Sequence, residues 1–199
     1  MVRMLCASFF LAILLGAFSC RAEEISLVIN NLKLKENNLQ LDFILTNNTE
    51  KPIWFCKDID DKSSIEYEVK ITEKEVSFRF ASVIVPKDVL LEEPIWAKYS
   101  KLEPGSKFRG SINVNVPLTE SVPFKKKTTS DAFQVISFAE TLKLEMGVYK
   151  ADLEARKNEC CRDDSNSQVS FVNCFWAEKN KEQIIRQQIE NQNIPIIVR

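Results

Sequence analysis

The sequence predicts a mainly β chain, a two-layer antiparallel sandwich followed by a short C-terminal helix. Three observations carry that expectation. Apolar residues alternate with polar ones in several short stretches, as at Leu39, Leu41, Phe43 and Leu45 against Gln40 and Asp42. Turn chemistry recurs at intervals of about ten residues, the spacing of an all-β sandwich rather than an α/β fold. Glycine is scarce, with Gly16, Gly105, Gly110 and Gly147 the full set of four, so few backbone sites suit a phosphate cradle.

The chain opens with a leader. Arg3 precedes the apolar run Leu5–Phe18, which has the length of an exported signal and is too short to cross a ~30 Å hydrocarbon core as a helix. Two processing sites compete. Ala22 offers a small residue for an ordinary cut before Glu23, giving a signal peptide over 1–22. Gly16-Ala17-Phe18-Ser19-Cys20 resembles a bacterial lipobox, in which Cys20 becomes the lipidated N-terminus and the acyl chains tether the domain to a membrane. The sandwich is expected over 23–178 and a C-terminal helix and tail over 179–199.

Within the sandwich, Ile25–Leu34 reads as a strand interrupted by a bulge or bend at Asn30-Asn31, and Lys35–Asn38 as a turn. After the Leu39–Leu45 strand, Asn47-Asn48 makes a corner, and Pro52 opens the next extended piece without needing a backbone donor. Ile65, Tyr67, Val69 and Ile71 face inward against Glu66, Glu68 and Lys70, and Val76, Phe78, Phe80 and then Val83–Val85 continue the pattern. Lys87–Lys98 reads as a loop or edge segment. Pro104-Gly105 makes a tight turn before a strand whose inward face is Phe108, Gly110, Ile112, Val114 and Val116. Pro117–Asp131 reads as a long exposed loop, and Phe133–Phe138 as a strand or a short helix. Gly147 opens a strand with Tyr149, Ala151, Leu153 and Ala155 on one face, and Val169–Trp176 is the last strand. Asn180–Glu190, capped by Asn180, reads as a helix with Ile184, Ile185 and Ile189 on one side.

The Thr46-Asn47-Asn48-Thr49 corner with Pro52, the Leu102-x-Pro104-Gly105 turn, and Gly147-x-Tyr149 resemble immunoglobulin-like domains of bacterial envelope proteins. They are more distantly similar to the bacterial intracellular proteinase-inhibitor domain. The likeness spans Leu39–Trp176 in architecture and those three motifs in residues. It implies an immunoglobulin-like antiparallel β-sandwich whose work is binding.

Chemistry narrows the function further. Histidine is absent, which excludes Ser-His-Asp and Cys-His nucleophiles and the commonest metal ligand. Without 1–22 the chain holds 25 basic and 28 acidic residues, a net −3 that gives no case for nucleic acid. Four cysteines follow the leader, Cys56, Cys160, Cys161 and Cys174. In an exported chain they predict two disulfides, one of the vicinal pair joined to Cys174 and the other to Cys56. Zinc wants paired C-x₂-C spacing and a redox centre C-x-x-C, neither of which occurs.

Lys125–Lys127 reads as a solvated loop run rather than a lipid headgroup contact, and Asp58, Asp60, Asp61, Asp163 and Asp164 as exposed carboxylates rather than a calcium loop. Trp54, Phe55, Trp96, Phe175 and Trp176 read as core rather than a ligand surface. Asn47-Asn48-Thr49 fits a glycosylation sequon, which means little if the source is bacterial. No catalytic, cofactor-binding or metal-ligating residue stands out, and no pair among the 28 acidic residues is singled out for two-carboxylate hydrolysis.

The expectation is therefore a non-catalytic, cofactor-free exported module. Its partner would be an envelope protein or surface component, met at strand edges and the Pro117–Asp131 loop, with membrane contact only through a lipid anchor. A secreted proteinase inhibitor is the alternative, and a carboxylate-pair hydrolase stands behind it.

Overall fold

A computed structural model describes residues 23–59, 66–124, 135–150, 153, 161–163, 169–180 and 182–198, with the backbone alone at 161–163, 175, 178 and 198. The predicted leader, Cys20 included, lies outside these residues, as do Asp60, Asp61, Lys125–Lys127 and Asp164. The chain is mainly β, built from several open sheets.

Three strands, β1 (Ile25–Lys35), β2 (Asn38–Asn47) and β7 (Lys107–Asn115), form one antiparallel sheet in the order β1-β2-β7. The remaining long strands form a second sheet. These are β3 (Ile53–Asp58), β4 (Glu68–Ile71), β5 (Glu75–Phe80), β6 (Trp96–Leu102), β9 (Thr141–Tyr149), β10 (Cys161–Asp163) and β11 (Val169–Asn173). Their order is β10-β11-β6-β3-β9-β5-β4, and β12 (Gln183–Ile189) pairs with β9 off that path. β8 (Val135–Ala139) and β13 (Ile194–Val198) make a separate antiparallel pair. Most pairings are antiparallel, as expected; β5 and β9 run parallel.

The period-two pattern is realised most fully in β2, where Leu39, Leu41, Phe43 and Leu45 are buried and the residues between them half-buried. Asn30 is the extra residue of a bulge, since Ile29 stands opposite Phe43 and Asn31 opposite Asp42. In β7 only Ile112 is fully buried, but the outward residues Lys107, Arg109, Ser111, Asn113 and Asn115 are all exposed as the alternation requires. Rings join the two large sheets: Phe43 meets Phe80 with centroids 5.9 Å apart, and Phe108 meets Phe55 at 4.6 Å. Gly110 lies directly opposite Phe43, and a Cβ there would strike the Phe43 ring, so the absent side chain makes room for the aromatic one.

The Asn47 corner is built as its composition suggests and then buried. The Asn47 side chain donates to the carbonyls of Lys51 and Leu102, each at 2.9 Å, and accepts from the amide and hydroxyl of Thr49. Its backbone exchanges hydrogen bonds with the next corner, Asn47 N–H to Ser106 and Gly105 N–H to Asn47. Gly105 there takes φ of +70°, the conformation its lack of a side chain permits. Asn47 is fully buried, so the sequon asparagine is a structural tie and offers no folded-state glycan acceptor.

Several expectations are corrected. The predicted helix over Asn180–Glu190 is not formed; most of it is strand β12. Three isoleucines gave that stretch a helical stripe, but pairing along β9 supplies the whole backbone ladder from Gln183↔Val148 to Ile189↔Leu142. The short helix lies earlier, as α1 (Cys174–Asn180), so the predicted strand Val169–Trp176 stops at Asn173. Asn173 caps α1 by accepting from the Trp176 amide at 2.8 Å. Phe133–Phe138 resolves to strand where described. Val83–Val85 is irregular, and Gly147 does not open a strand but lies near the end of β9, which stops at Tyr149.

Pro117–Asp131 is not wholly an exposed loop. Leu118 is fully buried and bridges Ile196, and Ser121 bridges Val69. Glu68, expected to face solvent, is buried.

Candidate functional site

Strands β4, β5, β9 and β12 carry one charged residue each into a single cross-strand row. The register sets Glu68 opposite Arg79, Arg79 opposite Glu145, and Arg186 opposite Glu145. Signs therefore alternate across four strands. Arg79 Nη1 donates to Glu68 at 3.1 Å, Arg79 Nε stands 3.8 Å from Glu145, and Arg186 Nε lies 2.7 Å from Glu145 on its other oxygen. Burial falls along the row, from a Glu68 side chain 4% exposed to an Arg186 side chain 62% exposed, so the inner pair is the one that cannot do without its partner. Arg79 also donates to the Ser82 carbonyl at 3.4 Å.

Beside that row sits Glu182, between α1 and β12. Its two oxygens are held from different elements: the Tyr99 hydroxyl of β6 donates to one, and the Ser82 amide donates to the other at 3.0 Å. A phenol has one proton, so with Tyr99 donating it to Glu182 the 2.6 Å contact between Tyr99 and Ser82 is a hydrogen bond donated by the serine hydroxyl. Gly147 of β9 leaves the space the carboxylate fills, since a Cβ there would strike Glu182. Among the described residues Glu182 has no ion-pair partner.

Burial accordingly pushes the Glu182 carboxyl up to about 7, against the opposing pull of the Tyr99 and Ser82 hydrogen bonds and of Arg79. Burial, and then the charge of Glu182, push the Cys56 thiol well up. A thiol so placed keeps its proton and is no nucleophile. Tyr99 is pushed well up by burial first, with Cys56 and Glu182 adding to it. Tyr149 is raised by burial and then Glu182, and its buried hydroxyl has no hydrogen-bond partner among the described residues. Tyr149 packs against Tyr99 at 5.2 Å and edge-on to Trp176 at 5.3 Å, which docks α1 over this corner.

These residues flank a half-open cleft of about 290 Å³, lined by Arg79, Ser82, Val83, Ile84, Ala177, Glu182 and Ile184. Among the described residues its walls are aliphatic, Glu182 is its one carboxylate, and the already paired Arg79 is its one cation.

The residues singled out from sequence lie elsewhere or beneath it. Trp54, Phe55 and Trp176 are buried and fill the core, Trp96 is half-buried, and the Phe175 side chain lies outside the described residues. Cys56 and Cys174 are free buried thiols in this structure. The Cys56 sulfur faces the Asp58 carbonyl at 3.4 Å, on a strand paired on both sides. Their expected partners, Cys160 and the side chain of Cys161, lie outside the described residues. No group of three metal-ligating side chains gathers among the described residues, and no described helix is long and apolar enough to cross a membrane.

Sequence reading missed Glu182, Arg79, Ser82 and Tyr99. The available signal was weak: Arg79 takes an outward position of the period-two pattern together with Glu75 and Ser77, and nothing local marks it as buried.

No family model matches the chain, and neither the curated proteins nor the solved structures contain a significant match to it.

Proposed function

We propose that this chain is an exported, non-catalytic binding module, an immunoglobulin-like β-sandwich that recognises an envelope protein or surface component and is either released by loss of residues 1–22 or tethered through Cys20. The observation that carries the binding reading is the cleft at Arg79, Ser82 and Glu182. It combines aliphatic walls with a few convergent polar groups, the usual composition of a ligand pocket. Against catalysis, the cleft brings a single carboxylate among the described residues, where two-carboxylate hydrolysis needs a converging pair. The buried thiol nearby is held protonated, and the chain has no histidine to activate a hydroxyl.

The test has two arms. The intact mass of the mature protein reports cleavage after Ala22 or acylation at Cys20. A fragment screen followed by NMR on the mature protein is expected to move the methyl resonances of Ile84, Ala177 and Ile184 together. Turnover of ester, peptide or glycoside substrates that is lost in Glu182→Gln would overturn the reading.

A second reading, a secreted proteinase inhibitor, is favoured by Leu90. This side chain is 97% exposed on the irregular connection between β5 and β6, with Pro86 and Pro94 on either side. An apolar residue presented on a proline-flanked loop suits insertion into an apolar protease pocket. Inhibition of a protease with such a pocket, abolished by Leu90→Asp, would support it; no inhibition across a protease panel dismisses it.

A further inference from the structure

We infer that the cleft beside Glu182 takes a primary ammonium group on a short aliphatic stem, with the Glu182 carboxylate as its counter-ion and Val83, Ile84, Ala177 and Ile184 as the sleeve for the stem. This deepens the binding reading and rests on it.

Arg79 is the one cation of the cleft lining among the described residues, and it is committed to Glu68, Glu145 and the Ser82 carbonyl. The outer cations are committed as well, Lys70 at 3.4 Å from Glu68 and Arg186 at 2.7 Å from Glu145. Glu182 alone of the three carboxylates has no ion pair among the described residues, and what holds it is neutral, the Tyr99 hydroxyl and the Ser82 amide. Each carboxylate oxygen accepts one hydrogen bond and keeps a further lone pair. An ammonium, with three donors and no acceptor, is the complementary group.

The shape of the site agrees. The cleft is half-open and small, its mouth bordered by Ile84, which is 68% exposed, so a ligand enters head first with its stem against the aliphatic walls. An anionic ligand would meet Glu182 and find Arg79 already occupied. A wholly apolar ligand would leave the carboxylate desolvated and unpaired, an expensive arrangement.

The site is also linked to pH. Among the described residues the titratable and charged groups facing Glu182 are Cys56 on β3, Glu68 on β4, Arg79 on β5, Tyr99 on β6 and Tyr149 on β9, while Glu145 and Arg186 pair with each other farther along the row. Cys56, Tyr99 and Tyr149 are all pushed upward and stay neutral near pH 7, leaving Glu182 as the group that changes. Its carboxyl titrates at about 7. Below that, an ammonium binds only as the carboxyl hydrogen leaves for the buffer.

The experiment is calorimetric titration of the full mature protein with n-butylammonium chloride, with n-butanol as the neutral isostere. Saturable binding of the ammonium at pH 8, at least tenfold tighter than butanol, is expected. The affinity should fall about tenfold from pH 8 to pH 6, because the competent ionised fraction falls by that factor. Proton release should appear at pH 6 as a buffer-dependent heat.

Glu182→Gln should abolish the preference for the ammonium. Should that variant fail to fold, the wild-type butanol comparison and the proton release still decide. Butanol binding as tightly as butylammonium, or butylammonium affinity unchanged between pH 6 and 8, overturns the inference. If fragments bind in the cleft while butylammonium does not, the ligand class is wrong and the binding reading survives. The source of the ammonium is read by replacing butylammonium with the peptide acetyl-Gly-Lys-Gly-amide. Tighter peptide binding assigns the group to a partner protein's lysine, and weaker binding assigns it to a free amine.

Discussion

Tyr99 donates its phenolic hydrogen bond to Glu182 across 83 positions of the chain, tying strand β6 to the corner that leads into β12. The same hydroxyl accepts from Ser82, and the Ser82 amide returns to the other oxygen of Glu182. Three segments distant in sequence thus close on one carboxylate, and its titration becomes a property of the fold.

Stability should carry that signature. The Glu182 carboxyl is raised from 4.5 to about 7, so the folded state holds a proton that the unfolded chain has already lost across that window. Its contribution is therefore greatest below pH 4.5, declines as pH rises to 7, and is flat above. The full swing is about 3 kcal/mol. Urea denaturation of wild type and Glu182→Gln at pH 4.5, 6 and 8 should show the wild type losing that much relative to the variant as pH rises. Asp42 acts in the opposite sense at lower pH. Hydrogen bonds from Asn31, then Ser111 and Gln40, hold its carboxyl below 3.8, so what they add is present above that pH and lost as pH falls through the folded value.

Arg79→Leu should destabilise by about 3 kcal/mol, since it leaves the buried Glu68 carboxylate with only the exposed Lys70 as counter-ion. The double variant Glu68→Leu/Arg79→Leu removes both charges and is expected to be more stable than the single change. Chemical denaturation of the three proteins closes the comparison. Equal stability of single and double variants would show that the pair is not coupled.

Asn47→Ala should cost about 3 kcal/mol, because the carbonyls of Lys51 and Leu102 and the Thr49 amide lose partners inside the protein. Asn48 makes an exposed bond to the Glu23 carbonyl, so Asn48→Ala should cost less than about 1 kcal/mol. Thermal melts of the two variants measure the contrast between neighbours of identical chemistry.

Gly110→Ala should destabilise by about 1–3 kcal/mol, because the new methyl group occupies the Phe43 ring position. Phe43→Leu in the same background removes the collision. The double variant should lie closer to Phe43→Leu than additivity allows, which a double-mutant cycle in urea detects.

Much of the fold was legible along the chain because burial on a strand leaves a local mark. The stripe of β2, the bulge at Asn30 and the Asn47 and Gly105 corners each depend on neighbours within a few residues. Strand β12 was illegible for the opposite reason. Its three isoleucines suit a helix face, and only the waiting edge of β9 makes it a strand. Glu68 was misread because period-two logic sends alternate residues outward, while here Arg79 lies directly opposite to receive it.

The candidate site was hidden more deeply. Its members sit at positions 79, 82, 99, 147 and 182, with no spacing that relates them. What the amino-acid order settled alone is which chemistries are missing, histidine above all, and where local polarity and turn residues start and stop strands. Which charges meet, which carboxylate is left without a cation and which glycine makes room for it came from strand register. Register is set by long-range pairing and core packing, and a change of one residue in it would turn Glu68, Arg79 and Glu145 away from one another.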